Sequence, residues 1–247
     1  MIANYKLQIV PHSAGSRFGG TNWRLACLAV ILLFASSAMA EELTAKEILQ
    51  KASAHYTVIK DYTVEVKLSV KSPSVHVPEM PAKIYFKKPD KLQVESEDGF
   101  TVLPKQGVIV GNPLGEFIKG SGLSIAGSEK VLDADCYVIK GTSQQEGRSV
   151  QSTVWIDKKN WLVRQVHTNP EWGPSIKVKL WYSKVAKKYW LPRSTAAQIS
   201  LPPIPGDEST KGKSSQPTIV YIRFSKYRVN IGLDDKIFEH PTSNAGS

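Results

Sequence analysis

The chain has 247 residues, a formal net charge of +10 and two cysteines, and 41% of its residues are hydrophobic. It is too long for a peptide, too apolar for a disordered chain and too poor in cysteine for a disulfide-stapled scaffold. A globular domain with an ordinary hydrophobic core is the class that remains.

The first forty residues have the pattern of an export signal. An apolar run over 25–35 follows Arg24, and Ala38-Met39-Ala40 supplies the small-x-small pattern of a signal-peptidase site. The run is shorter than the roughly 20 residues that a membrane-spanning helix needs. We predict a signal peptide over 1–40, cleavage near Ala40 and a periplasmic location, with an uncleaved N-terminal anchor as the alternative.

Residues 41–247 are predicted to form a single domain. The leader contains three basic residues and no acidic one, so removing it leaves a formal net charge of +7 and one cysteine, Cys136. An exported chain with a single cysteine cannot form an internal disulfide, so packing of its core must stabilise it.

The domain begins with an amphipathic helix, predicted from Leu43 to about Ile59. Thr44 and Glu47 have the S/T-x-x-E spacing of a capping box, in which the two side chains bind backbone amides of the first turn. Apolar residues recur behind this cap at spacings of three and four. They are Ala45, Ile48, Leu49, Ala52, Tyr56 and Ile59.

From Asp61 onward the hydrophobic period changes to two, which indicates strands with one apolar face. The first strand is predicted over 61–71, and a Lys88-Pro89-Asp90 turn joins the second and third. The later strands are predicted over 83–87, 91–95, 108–110, 136–140, 150–156, 161–167, 176–182, 189–199 and 218–227. A short helix is predicted over 114–119 and a mobile Pro/Gly/Ser-rich loop over 201–216.

A sheet with one apolar face must curl on itself or pack against a second layer. The N-terminal helix is the long amphipathic element available to cover it. Because a thin helical layer is hard to fit closely over a curled sheet, we expect an apolar cavity between them that can hold a ligand.

Motifs for catalysis and metal binding are weak. The histidines are far apart without metal-ligand spacing, so no metal and no cofactor is predicted. The segment 122–126, Gly-Leu-Ser-Ile-Ala, resembles a nucleophile elbow but ends in alanine and lies in a predicted Gly/Ser-rich loop. We predict that the protein is not an enzyme, with hydrolysis through Ser124 or His167 as the alternative.

The basic residues alternate along the predicted strands and do not form a dense block. Lysines at these positions keep the outer face of a sheet solvated. They also attract anionic lipid headgroups, so an anionic membrane surface is a second interpretation. Binding to nucleic acid is not expected.

The order of several short motifs resembles the bacterial periplasmic carriers and receptors of lipoproteins, the LolA and LolB family. The capped helix leads directly into strand 61–71, and Ile-Tyr-Phe-Lys-Lys-Pro-Asp-Lys-Leu over 84–92 is similar to the family's strand, basic-Pro turn and returning strand. The segment 108–113, Val-Ile-Val-Gly-Asn-Pro, lies at the position where those carriers have a short strand that ends in Asn-Pro. Weaker matches are 136–139, 155–159, 189–193 and 232–238.

The resemblance implies a mainly β fold with α, a half-open antiparallel β-barrel capped on its concave side by the N-terminal helix and short helices. It also implies a hydrophobic cavity for lipid or lipoprotein acyl chains, used for transfer across the envelope, where a partner protein loads or accepts the cargo. The alternative is a sensory or regulatory module of the same fold that binds a partner protein.

Sixteen apolar residues are predicted to line this cavity, although core packing without a ligand explains them equally well. They are Ile48, Leu49, Ala52 and Tyr56 on the helix, and Val64, Val66, Leu68, Ile84, Phe86, Leu92, Val94, Val178, Leu180, Val220, Ile222 and Phe224 on the sheet. Lys88 stands where the carriers usually have an arginine that helps to hold the helical lid. Because lysine lacks the planar five-donor fork, we expect it to hold the lid less firmly.

Overall fold

The computed structural model describes residues 43–72, 76–96, 114–145, 148–171, 173–201 and 216–239. The predicted leader, the predicted strand 108–110 and all of the predicted loop except its end residues lie outside these ranges. No helix in the described part of the chain has the length and apolar character needed to cross a membrane.

The first described helix, α1, spans Ala45–Thr57 and begins with the predicted capping box. The Glu47 amide donates to Thr44 Oγ1 at 3.3 Å, and the Thr44 amide donates to Glu47 Oε2 at 2.8 Å. These bonds satisfy amides that the first turn leaves without helical partners. The N-terminus of α1 is therefore stabilised by its own residues.

Ten antiparallel strands form one sheet in the order β3-β2-β1-β10-β9-β8-β7-β6-β5-β4. Within the described ranges, β3 and β4 are the edges and do not pair with each other, so the barrel is half-open, and the predicted fold class is confirmed. The strands are β1 Asp61–Lys71, β2 His76–Lys87, β3 Lys91–Ser96, β4 Ser121–Val131, β5 Ala134–Gln145, β6 Arg148–Asp157, β7 Val163–Pro170, β8 Ser175–Val185, β9 Tyr189–Ser200 and β10 Thr218–Val229.

The short helix α2, Gly115–Ile118, lies against β5 where a glycine makes room for it. A Cβ on Gly141 would lie 2.7 Å from Leu123 Cδ2 and 3.2 Å from the Phe117 ring. A side chain larger than hydrogen at this position would displace both. After β10 the chain forms a 3-10 helix, Asp235–Phe238.

The prediction of a Gly/Ser-rich loop around 122–126 is wrong, because this segment lies in β4. The strand is exposed along almost its whole length, and its pairing with β5 shifts register twice. Gly122 and Gly127 have positive φ angles. An exposed edge strand with bulges has no buried face, so its sequence shows no hydrophobic alternation.

Several strand boundaries also differ from the prediction, and β5, predicted over 136–140, extends to Gln145. Trp161 lies in the β6–β7 turn with φ +56°, so β7 begins only at Val163. β2 begins well before residue 83 and includes Pro78 and Pro81. Both prolines precede the part of β2 that pairs with β3. At the prolines, one side of β2 has no strand partner among the described residues, so a missing N–H is tolerated there.

Candidate functional site: the concave face beneath the helix

Most of the predicted cavity residues lie together between α1 and the concave face of the sheet, and thirteen of the sixteen are buried. Ile48, Leu49 and Ala52 on α1 have no exposed surface. We name five almost completely buried residues of this face the covered floor. It consists of Val64, Ile84, Val178, Leu180 and Ile222.

The other three predicted residues are more accessible. Val94 and Phe224 are partly exposed, and Leu92 is 37% exposed on the edge strand β3, opposite Phe86. Val94 and Phe224 belong to a larger apolar area on the same face that no described element covers completely. This area, the open floor, consists of Val70, Met80, Ala82, Val94, Ile176, Ile199 and Phe224.

A buried pair of tyrosines joins α1 to β8. The hydroxyls of Tyr56 and Tyr182 lie 2.9 Å apart, and both rings are buried. Burial raises the pKa of Tyr56 to about 12 and that of Tyr182 well above its ordinary value. The pair is therefore a hydrogen bond between two neutral phenols at any physiological pH.

The same half of α1 also contacts the β6–β7 turn. His55 Nε2 lies 2.8 Å from the Asn160 carbonyl oxygen, and Lys51 Nζ lies 4.7 Å from the centre of the Trp161 ring. Because His55 and Lys51 are one turn apart on the helix, both side chains reach the same turn of the sheet.

The β6–β7 turn is itself organised by a buried carboxylate. Asp157 accepts from the backbone amides of Lys159 and Asn160 at 2.8 and 3.0 Å and forms a two-nitrogen contact with Arg164. Burial opposes ionisation of Asp157, yet the Arg164 guanidinium and these amides hold the pKa of its carboxyl below the ordinary value. This ion pair fixes the turn that α1 contacts.

The C-terminal end of α1 is held by two polar side chains. Lys88 Nζ donates to the Thr57 carbonyl oxygen at 2.7 Å, which is a single contact at the predicted lid position. Asn230 donates from Nδ2 to the Val58 carbonyl at 3.0 Å and accepts from the Lys60 amide at 2.7 Å. The helix end is thus attached to the β2–β3 turn and to the end of β10.

One buried polar atom next to the covered floor has no hydrogen-bond partner among the described residues. It is the hydroxyl of Thr195, which lies between Leu180 and Ile222 in register and is 1% exposed. Buried hydroxyls in native proteins are almost always paired. This hydroxyl is therefore able to donate to a ligand atom that enters beneath the helix.

The two residues of the enzymatic alternative are not within reach of each other. Ser124 and His167 lie in one row across β4, β5, β6 and β7, so about three strand spacings, roughly 14 Å, separate them. His167 instead lies 2.8 Å from Ser175 Oγ, and burial together with Lys177 lowers its pKa. Burial raises the pKa of the Cys136 thiol to about 11.

No group of three or more potential metal ligands occurs in the described ranges. The site therefore offers apolar surface and a few hydrogen-bonding groups. That chemistry suits binding of an apolar ligand.

The sequence did not identify all of the open floor. Only Val94 and Phe224 of its seven residues were among the predicted cavity residues, and Met80 and Ala82 precede residue 83, where the predicted second strand begins. The alternation of Met80, Ala82, Ile84 and Phe86 was nevertheless a usable signal. Tyr182 was visible as a strand residue, but its pairing with Tyr56 depends on how α1 crosses the sheet.

Comparison with solved structures identifies the fold. A LolA superfamily protein from Nitrosomonas europaea superposes with a TM-score of 0.54 at 15% identity, covering 80% of this chain and 98% of that one. A domain assigned to outer membrane lipoprotein sorting, from Vibrio parahaemolyticus, gives 0.53 at 13% identity, covering 78% and 95%. The chain has the LolA-type fold.

A DUF1329 family protein from Desulfovibrio piger is similar to the same extent, with a TM-score of 0.56 at 14% identity and coverage of 79% and 96%. No family model matches the sequence. No curated protein matches it either. The likeness thus lies in the LolA-type fold, and it agrees with the order of motifs that the sequence shows.

Proposed function

We propose that this protein is an exported carrier that holds the acyl chains of a lipid or lipoprotein between α1 and the concave face of the sheet. The observation that carries the proposal is the open floor, an apolar surface of seven partly exposed residues continuous with the covered floor. Soluble proteins rarely leave a large apolar area accessible unless it binds something.

The ligand is expected to enter over the open floor and to extend beneath the helix. Entry requires α1 to move away from the covered floor, which breaks its polar contacts at Tyr182, at the Asn160 carbonyl and at Lys88. Three such hydrogen bonds contribute about 3 kcal/mol together. Burial of four methylenes contributes about as much as these three bonds. The remaining methylenes of an acyl chain replace the apolar contacts that α1 loses with the covered floor.

The resemblance of the motifs and the LolA-type fold both support this ligand class, since a solved structure with the same fold is assigned to lipoprotein sorting. The apolar run before Ala40 supports export to the periplasm. The unpaired Thr195 hydroxyl adds one site at which a polar group of the ligand would be bound.

The test compares two adjacent residues of β9 that face opposite sides of the sheet. Ile199→Glu places a charge on the open floor, whereas Gln198→Glu places the same charge on the exposed convex side. We expect Ile199→Glu to weaken binding of an apolar fluorescent probe at least tenfold and Gln198→Glu to leave it unchanged. Mass spectrometry of lipid extracted from the natively purified protein identifies the cargo.

Two results would contradict the proposal. One is a purified protein that contains no lipid and gives no signal with the probe. The other is equal probe binding by both variants. A complex with an envelope protein that survives delipidation, without transfer of lipid between vesicles, would favour the sensory alternative.

A further inference from the structure

Several connections of the chain meet at one end of the sheet. In an antiparallel sheet alternate connections lie at the same end. The α1–β1 linker, the β6–β7 turn and the β8–β9 turn therefore share an end here. Six exposed lysines belong to these connections and form what we name the basic end. They are Lys60, Lys158, Lys159, Lys184, Lys187 and Lys188.

The charge of the basic end is not neutralised. The segments 58–60, 158–162 and 184–190 contain no acidic residue, and no ion pair between described residues includes one of the six lysines. The neighbouring β2–β3 region differs, because Lys87 and Lys91 there both pair with Asp235, at 2.7 and 3.1 Å. The β4–β5 turn lies at the same end and brings two exposed aspartates, Asp133 and Asp135, beside Lys158. The six lysines therefore leave an excess of positive charge on this surface.

Hydrogen bonds show that the three segments form a continuous surface. His55 near the end of α1 contacts the Asn160 carbonyl of the β6–β7 turn. Asn230 Nδ2 contacts both the Val58 carbonyl of the linker and the Tyr189 hydroxyl at the start of β9. The lysines are therefore arranged around the C-terminal end of α1.

Apolar and aromatic side chains lie within this surface. Val58 is 52% exposed and Ile231 is 41% exposed, and both adjoin Asn230. Lys184 Nζ lies 5.1 Å from the centre of the Trp190 ring, and Lys188 Nζ lies 5.2 Å from that of Tyr189.

Trp and Tyr beside Lys are typical of protein surfaces at the membrane interface. The rings lie at the level of the headgroups there, and the ammonium groups extend to the phosphates.

We propose that the basic end docks on the surface of an anionic lipid bilayer. The six charges give the attraction, and Val58 and Ile231 give a small apolar contact at the headgroup boundary. All six are lysines, whose flexible point charges suit mobile headgroups better than the fixed bidentate geometry of a protein partner. Docking places the C-terminal end of α1, with its Lys88 and Tyr56 contacts, against the membrane.

The experiment measures cosedimentation of the purified protein with vesicles of phosphatidylcholine alone or with 30% phosphatidylglycerol, a composition chosen on the order of that in anionic leaflets. We compare Lys159, Lys187 and Lys188 changed together to Gln with a matched triple change of Lys71, Lys140 and Lys179 to Gln. The matched lysines are equally exposed but lie outside the basic end.

Each lysine near an anionic surface strengthens partitioning about fivefold, so loss of three is expected to weaken binding to anionic vesicles roughly 100-fold. The matched triple variant is expected to lose less than a tenth as much. Val58→Ser with Ile231→Ser is expected to weaken binding about fivefold. Circular dichroism verifies that each variant keeps its fold.

Equal binding to neutral and anionic vesicles would overturn the inference, as would equal losses in the two lysine variants. Binding to polyglutamate without binding to vesicles would overturn it in favour of an acidic protein partner. The inference does not depend on the proposed cargo. A protein that docks on anionic vesicles but carries no lipid would refute the proposed function and leave the docking surface in place.

Discussion

The covered and open floors differ in accessibility although their sequences are alike. Both come from strands in which apolar residues alternate with polar ones, and both face the concave side. Leu180 and Ile222 in the covered floor are completely or almost completely buried, whereas Ile176 and Ile199, on the same strands or the strand between, are partly exposed. The difference arises from what lies above the strands.

The dimensions of the elements explain why one helix cannot cover the whole face. α1 has 13 residues and is therefore about 20 Å long. Strands of 11 or 12 residues are about 37 Å long, and ten of them span roughly 45 Å across the sheet. Among the described residues, α1 alone therefore leaves part of the apolar face partly exposed beside the buried covered floor.

The largest expected effect is on the stability of the covered floor. Leu180→Ala should lower the free energy of unfolding by about 3 kcal/mol, because it leaves a cavity beneath α1 that the rigid sheet cannot close. Ile199→Ala removes a side chain of similar volume from the open floor and should cost only about 1 kcal/mol, because that side chain is already partly hydrated. Urea denaturation measures both.

Leu180→Ala and Ile199→Ala together test whether the covered and open floors differ in packing. Similar losses at the two positions would mean that the open floor is as tightly packed in solution as the covered floor. The distinction between the two areas would then be wrong.

The next effect concerns the turn that α1 contacts. Asp157→Asn should lower the free energy of unfolding by about 2 kcal/mol, because it leaves the mostly buried Arg164 guanidinium without its counter-charge. Asp133→Asn is the control: this exposed residue has a φ of +64° in the neighbouring β4–β5 turn, a conformation that asparagine also adopts. In thermal unfolding, the midpoint temperature of Asp157→Asn should be clearly lower than that of Asp133→Asn.

The same carboxylate makes stability depend on pH. The pKa of Asp157 in the folded protein lies below the value of about 3.9 for an unfolded chain. Its contribution is therefore complete above about pH 4 and is lost as the pH falls through the depressed folded value. The Asp157→Asn variant should lack this part of the acid dependence, and a parallel decline in both proteins would refute the role of the ion pair.

A smaller effect is expected where α1 closes over the covered floor. Tyr56→Phe removes one hydrogen bond and leaves the buried Tyr182 hydroxyl without it, which should cost about 1 kcal/mol. Hydrogen exchange of the α1 amides and the rate of probe uptake should both increase. Tyr85→Phe is the control, because the Tyr85 hydroxyl contacts Glu95 on the exposed side of β2. No change in uptake would show that the tyrosine pair does not restrain the helix.

The sequence predicted the architecture well because hydrophobic period and capping are local signals. The capping box at Thr44 fixed the start of α1, and the strand over 61–71 agrees with β1 at both ends. β4 was missed because an exposed edge strand lacks the one-sided burial that produces a pattern.

The candidate site was only partly predictable for a different reason. Alternation identifies which residues face the concave side. Which of them α1 covers depends on where the helix lies on the ten-stranded sheet, and no local pattern encodes that position. The buried Ile84 and the partly exposed Met80 are therefore equivalent in sequence and different in the structure. The contacts of Asn230 with residues near position 60 are non-local in the same way.

The smallest expected effect is at Lys88, and it addresses how firmly the lid is held. Lys88 is exposed, and the bond found for its side chain among the described residues goes to the Thr57 carbonyl, although the last turn of a helix presents several carbonyls without helical partners. Lys88→Arg provides more donors in a planar fork, so it should slow release of a bound apolar probe about threefold while changing stability by less than about 0.5 kcal/mol. Lys88→Met should accelerate release by a similar factor, since it keeps the length of the side chain and removes the donor. Lys83→Arg on the convex side controls for the change of side chain alone. Stopped-flow fluorescence measures the rates, and equal rates in all four proteins would mean that the end of α1 near Lys88 does not limit opening.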